Sequence, residues 1–332
     1  MTKRPPRQSL SLLTFAISRL MPVWILVCAT LAFQFHSSFT SFQSFISVGI
    51  GCVMFLMGIS LNLSRLAILL KNPFVVIMGS LGKWIFGSTV AVGLTVMFFG
   101  LHSETGAGIV MSGIVPSGTS ANLNSLIGGG DIAYSVTMSA LDTFVGPVIT
   151  PLLAKICVGT GVRIEYFPFL WKMVHLVFLP LVVGIVMQKI SHTIKSSVAP
   201  LTPILSALAL YGIVLGIVSG ASETLLHDKG SVPLVLVVVM MQVSLQMGIG
   251  YFYGKSLRLN ESGCRSLLFE VGISNSALAA VLANSVFGPL AAVAAIVNMV
   301  CNLTLGSLVA ALLKQRKIDD AHRTVENSCS LN

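Results

Sequence analysis

Ten apolar stretches, most of them twenty residues or more, follow one another along this chain with short breaks between. They lie at about 14–35, 44–63, 74–100, 105–127, 131–157, 166–190, 201–221, 232–254, 264–285 and 287–313. Crossing the hydrocarbon of a bilayer as a helix takes about 20 apolar residues. In lipid the backbone must satisfy its own hydrogen bonds, so runs of this kind read as helices. Charged residues make up 9% of the sequence, against about 25% in a soluble domain. The expected fold class is an all-α polytopic membrane protein with ten transmembrane helices. Nearly every segment is apolar on both faces, which leaves no room for a soluble domain.

The net charge of +9 does not point to nucleic acid, because the basic residues sit in short alternating loops. With the N-terminus inside, the inside loops and tails hold Lys3, Arg4, Arg7, Arg65, Lys71, Lys189, Lys195, Lys255, Arg258, Arg265 and Lys314 onward. The outside positions hold only Lys155, Arg163 and Lys229. That asymmetry follows the positive-inside rule and predicts both termini in the cytoplasm. Residues 1–13 are then a cytoplasmic N-terminus, 14–313 the membrane domain and 314–332 a solvated cytoplasmic tail. The first apolar run lacks a small-residue cleavage site and is expected to be retained. Cys28, Cys52, Cys157, Cys264, Cys301 and Cys329 show no pairing or metal spacing and read as apolar filler.

Ten spans divide into two fives, and an odd number per half inverts the second half against the first. The repeats run over about 14–157 and 166–313. The fourth and ninth segments hold equivalent places, and both carry small and polar residues at mid-segment. One run is Pro116-Ser117-Gly118-Thr119-Ser120-Ala121-Asn122. The other is Glu270-Val271-Gly272-Ile273-Ser274-Asn275-Ser276. Paired interruptions of this kind are the best sequence pointer to a transporter binding site. Small residues also serve close helix packing, but Pro, Asn and Glu pack poorly in lipid. The backbone is expected to be non-helical at 116–122 and 271–276. Glu270 sits among apolar neighbours, where a charge costs at least about 2.5–3.5 kcal/mol on insertion scales. A residue kept at that cost faces a polar cavity or an ion.

These residues resemble the bile acid:sodium symporter family. The likeness covers about residues 15–313 and is strongest in Ser117–Asn122 and in Glu270–Ala279. Gly130–Thr137, Thr150-Pro151-Leu152-Leu153, Asn302-Leu303-Thr304 and Gly306-Ser307-Leu308 add to it. The resemblance implies broken, crossing fourth and ninth helices in a core domain (segments 3, 4, 5, 8, 9 and 10). A panel domain (1, 2, 6 and 7) would pack against it. It implies co-transport of a small organic anion with sodium, across the inner membrane if the chain belongs with the bacterial branch. That branch includes transporters of pantothenate precursors. Carried over residue by residue, a sodium site comprises Asn122, Ser135, Ser139 and Glu270, with Ala121 where the family has serine. Thr119, Asn122 and Asn275 become substrate contacts. The glutamines of the family's second sodium site correspond to Lys83 and Ser274.

Two departures from the family pattern are charged. Lys83 lies nine residues past the expected start of its span, about 13 Å at 1.5 Å per residue. It either snorkels to an interface or places a fixed ammonium where a second sodium would sit. Asp142 shares a helix face with Ser135 and Ser139, at i, i+4 and i+7. It either pairs with Lys83 or carries a proton. Lys172 and His175 read as interfacial or packing residues. The competing function is a proton-coupled transporter or a cation/proton antiporter of the same fold using Asp142 and Lys83. Such antiporters carry two adjacent acidic or amide residues in the fifth segment, and Leu141-Asp142-Thr143 does not. A membrane enzyme finds no support, because no His/Cys cluster, His-Glu-x-x-His run or Gly-x-Ser-x-Gly turn is present. The chain is therefore expected to be no enzyme, to need no cofactor, and to take sodium or protons as coupling ion.

Overall fold

The computed structural model describes residues 20–61, 73–100, 102–159, 164–190, 198, 201–227 and 231–329, with side chains described as far as 315. The expected N-terminal tail at 1–13, the loop residues Arg65, Lys71, Arg163, Lys195 and Lys229, and the last three residues of the expected C-terminal tail lie outside these. Among the described residues twelve helices carry the architecture, beside a single helical turn at His36–Phe39. They are α1 (Met21–Gln34), α2 (Phe42–Ser60), α3 (Pro73–Phe98), α4 (Glu104–Ile114), α5 (Thr119–Ile127), α6 (Ile132–Cys157), α7 (Tyr166–Ile190), α8 (Thr202–His227), α9 (Ser231–Ser256), α10 (Glu261–Gly272), α11 (Ser276–Val286) and α12 (Pro289–Cys329). Among the described residues no strand forms. Seven helices among the described residues are long and apolar enough to cross a membrane: α2, α3, α6, α7, α8, α9 and the first 27 residues of α12. The protein is an integral membrane protein. Its exterior fits that solvent, with Phe74, Met97, Phe167, Ile190 and Phe252 all turned outward.

The remaining membrane-length segments are the interrupted ones. α4 and α5 are separated by residues 115–118, and α10 and α11 by residues 273–275. Both interruptions fall where the sequence places them, but they are shorter than expected. Thr119–Asn122 already form the first turn of α5, and Val271 and Gly272 complete the last turn of α10. The physical reason is backbone satisfaction. Each residue returned to a helix recovers an internal hydrogen bond, and at membrane depth an orphaned one costs several kcal/mol.

The helices pack in two groups. α7 and α8 both pack on α2, and α1 lies on α8. The other group holds α3 to α6 and α9 to α12, with α10 along α9 and α11 along α12. The groups meet through α8 on α12 and α11, α1 on α12, and α6 on α7. Close approach in the first group depends on absent side chains. A Cβ at Gly184 of α7 would lie 2.2 Å from the Phe55 carbonyl of α2, and one at Gly58 would meet the Leu181 carbonyl at 2.3 Å. Gln188 bridges the same contact, donating to the Gly58 carbonyl at 3.0 Å and to the Leu61 carbonyl at 2.9 Å.

Connections in the second group are tied at both ends. Asp131 caps α6 by accepting from the Tyr134 amide at 3.0 Å. Asn260 caps α10 by accepting from the Gly263 amide at 2.9 Å. Glu104, at the start of α4, accepts from the Leu290 amide at 2.8 Å and so caps α12 across the group. Gly288, with φ +115°, makes the turn that brings α12 there. Gly184→Leu should therefore force α7 off α2, an overpacking cost of about 1–3 kcal/mol. The measurement is thermal unfolding in detergent, where Tm should fall by several degrees while Val183→Leu, on an exposed face, leaves it unchanged.

Candidate functional site

The two interruptions meet. Ser117 and Ser274 form an antiparallel bridge, with the Gly118 amide donating to the Ile273 carbonyl at 3.2 Å and the Asn275 amide donating to the Pro116 carbonyl at 2.8 Å. Residue choice makes this possible. Pro116 brings no N–H that would need a partner. Gly146 of α6 accepts the Pro116 ring, since a Cβ there would lie 2.5 Å from its Cγ. Thr150 of α6 donates to the Ile114 carbonyl at 3.0 Å, filling one acceptor at the end of α4. On the other side Asn302 of α12 reaches the Ser274 carbonyl at 3.3 Å, Ser276 Oγ at 2.8 Å and Asn298 Oδ1 at 2.9 Å. Ser276 donates to Asn298 Oδ1 at 2.8 Å. Asn302 Oδ1 is buried and makes no hydrogen bond.

Glu270 projects from the last turn of α10 just before this crossing and is fully buried. Its Oε1 accepts from Ser135 of α6 at 2.5 Å, and its Oε2 has no hydrogen-bond partner. Asn122 of α5 stands alongside. Its Oδ1 lies 2.8 Å from Ser135 Oγ and 3.2 Å from Ser139 Oγ, and its Nδ2 donates to Ser139 Oγ at 2.9 Å. The structure thus brings Asn122, Ser135, Ser139 and Glu270 into one buried group of oxygens, drawn from α5, α6 and α10.

Asp142 is one turn farther along α6 and also fully buried. Its carboxylate accepts from Ser80 of α3 and from Ser117 at 2.9 Å. The Ser117 hydroxyl lies 3.1 Å from the Glu270 carbonyl as well, so its one proton is shared between the two acceptors. The Trp84 indole N–H lies near Asp142 without reaching hydrogen-bond geometry. Lys83, 1% exposed, is the one buried lysine among the described residues. It stands within Coulombic reach of both Asp142 and Glu270. Among the described residues no carboxylate oxygen comes within 4.0 Å of its ammonium, so Lys83 is buried without a direct ion pair to Asp142.

Of the other expected site residues, Ser274 lends its backbone to the crossing and is buried. Asn275 is half-buried, and its Oδ1 accepts from the Leu278 amide at 3.2 Å, capping α11. Thr119 is exposed at the start of α5, which has no side-chain cap. Lys172 donates to the Ser285 carbonyl at 3.1 Å, and the His175 ring packs edge-on against Trp171 at 4.9 Å. Ser80, Ser117, Asn298 and Asn302 were not singled out as site residues. Asn298 and Asn302, at i and i+4 in an apolar helix, carried the signal that intramembrane polar residues face the interior. Ser80 carried none, since a lone serine in a span is common.

Comparison with known proteins gives one family. The model of the sodium bile acid symporter family matches residues 47–228. A Bacillus subtilis protein, the "uncharacterized sodium-dependent transporter YocS", is 30% identical over 294 residues, 87% of this chain and 88% of its own. The rice "probable sodium/metabolite cotransporter BASS2, chloroplastic" is 26% identical over 302 residues, 90% of this chain and 71% of its own. The Arabidopsis thaliana "probable sodium/metabolite cotransporter BASS1, chloroplastic" is 27% identical over 302 residues, 90% and 74%.

Replacing Asn302 tests the crossing itself. Asn302→Leu removes the donor to the Ser276 hydroxyl oxygen and second donors to the Ser274 carbonyl and Asn298 Oδ1, which keep Ser276 as a partner, a loss of about 1–3 kcal/mol. Tm should drop by several degrees, and Asn302→Gln should restore part of the loss.

Proposed function

The chain belongs to the sodium bile acid symporter family, and from that premise we propose that it is a secondary active transporter carrying a small organic anion together with sodium. Its relatives are transporters, which supports a role other than that of an enzyme. The observation that carries the reading is Glu270 Oε2, buried and unpartnered beside Asn122, Ser135 and Ser139. An ionised carboxylate kept there needs a compensating cation, and oxygen donors of this kind suit a hard one. Sodium is that cation in this reading. Its ligands are drawn from α5, α6 and α10, so binding draws together elements from both interrupted segments.

The substrate is a carboxylate such as a pantothenate precursor or a bile-acid-like compound. The N-terminal end of α5 lacks a side-chain cap and lies at the crossing. Free N–H groups and the positive end of a helix dipole favour an anion. Thr119, Asn122 and Asn275 are its polar contacts in this reading, the exposure of Thr119 and the half-burial of Asn275 leaving both accessible. The ten segments form two inverted repeats, 14–157 and 166–313. The group α1, α2, α7 and α8 serves as panel and the rest as core. The protein lies in a bacterial inner membrane with both termini cytoplasmic.

A second reading, proton coupling or cation/proton antiport, is favoured by the burial of Asp142 beside Lys83. The two separate in proteoliposomes. Radiolabelled carboxylates should accumulate under an inward sodium gradient at fixed pH, and not under a proton gradient alone. Glu270→Gln should elute as the native protein does but lose at least tenfold of the sodium-driven rate. Uptake by Glu270→Gln at the native rate, with the same ion dependence, overturns the assignment.

A further inference from the structure

Three charged side chains meet at the crossing. Glu270, Asp142 and Lys83 are all buried. Ser80 and Lys83 are three residues apart on α3, so they share a face. The bond from Ser80 to Asp142 fixes that face toward α6. The side of α3 that carries Met78, Gly82 and Phe86 is covered by α9, while Ile77, Leu81 and Ile85 face outward. The Tyr253 ring of α9 lies against Gly82, where a Cβ would come within 2.1 Å of it, and its hydroxyl donates to the Met78 carbonyl at 2.9 Å. Phe86 packs edge-on against the same ring at 5.0 Å. Tyr134 of α6 donates to the Val75 carbonyl at 3.2 Å. The groups that flank the three charges are therefore neutral phenols and hydroxyls, and Lys83 is itself buried.

Two carboxylates and one ammonium leave a single negative charge. A cation recruited from solution is required only for charge that fixed groups leave uncompensated. Lys83 stands near both carboxylates and bonds directly to neither. Its ammonium therefore acts on the cluster as a whole. Of the four carboxylate oxygens of Asp142 and Glu270, only Glu270 Oε2 lacks a hydrogen-bond partner. We propose that the net charge of Lys83, Asp142 and Glu270 sets how many sodium ions the protein binds, one in the native chain, with Lys83 a built-in second cation and Asp142 its counter-charge. This rests on the sodium-coupled reading of the same site and goes beyond it by fixing the stoichiometry.

The test counts ions, with sodium itself as the probe and no need of a substrate. Radioactive sodium bound per molecule is measured on full-length protein purified in detergent, and monodisperse elution checks folding. The native chain should bind one ion. Lys83→Gln leaves two negative charges and should bind two. Asp142→Asn leaves none, and sodium affinity should fall at least tenfold. The double variant Lys83→Gln/Asp142→Asn restores a single negative charge and should bind one ion with affinity near the native value. It also serves where a single variant does not fold. Two ions in the native chain, or one ion in each folded variant alike, overturns the proposal and leaves sodium coupling standing. No binding by the native chain overturns the sodium-coupled reading and this inference with it.

Discussion

Two helices that break at one depth in a membrane leave backbone groups with nothing to bond but each other. The pairing of Pro116–Gly118 with Ile273–Asn275 answers that need with a short antiparallel ladder. Each unsatisfied group there would cost several kcal/mol, so the ladder sets the register of α4–α5 against α10–α11. The rest of the group is shaped to serve it. Thr150, Gly146, Asn298 and Asn302 stand on α6 and α12 to take what the ladder leaves over. Gly87 and Gly113 bring α3 onto α4, a Cβ at either being within 2.5 Å of the facing carbonyl.

Charge becomes tolerable at this depth only because of that polar crossing. A lone carboxylate among Leu267, Leu268, Phe269 and Val271 would be neutralised or expelled. Here Glu270 stands between Phe269 and Val271 in the chain, but its carboxylate meets the Ser135 hydroxyl instead. Two like charges about 4 Å apart repel by about 4 kcal/mol at an effective dielectric of 20. An ammonium standing off from both carboxylates offsets much of that without claiming the oxygen that a mobile ion needs. Lys83 would lose this balance if it closed to contact, because a direct ion pair with Glu270 would leave no vacancy to fill.

The ten apolar runs, the two interruptions and the buried glutamate could be read from the residues because each depends on a strong local rule: length against bilayer thickness, Pro and Gly in an apolar run, a charge with no solvent. The ends of the interruptions could not. Whether Thr119–Asn122 coil or turn depends on the partner strand at Ser274, which lies far off in the sequence. Ser80 and Ser117 were equally invisible, since a serine shows its role only once an acceptor has been folded against it. Lys83 had two readings from depth alone, and its burial favours the one inside the protein.

The distribution of polar contacts says which parts can shift. Inside the second group, hydrogen bonds run from side chain to side chain across α3, α5, α6, α10 and α12. Between the groups the buried contact is apolar, Ile213, Val214 and Ile217 of α8 belonging to the same cluster as Ala295 and Met299 of α12. Lys172 to the Ser285 carbonyl is a polar link between them, and it is exposed. A hydrogen-bonded crossing resists deformation because each lost bond strands a buried partner. An interface of small apolar side chains trades one packing for another at little cost. If a cation is held by α5, α6 and α10 as proposed, it stiffens a body already tied by hydrogen bonds, and the motion of a transport cycle belongs to the seam with α1, α2, α7 and α8.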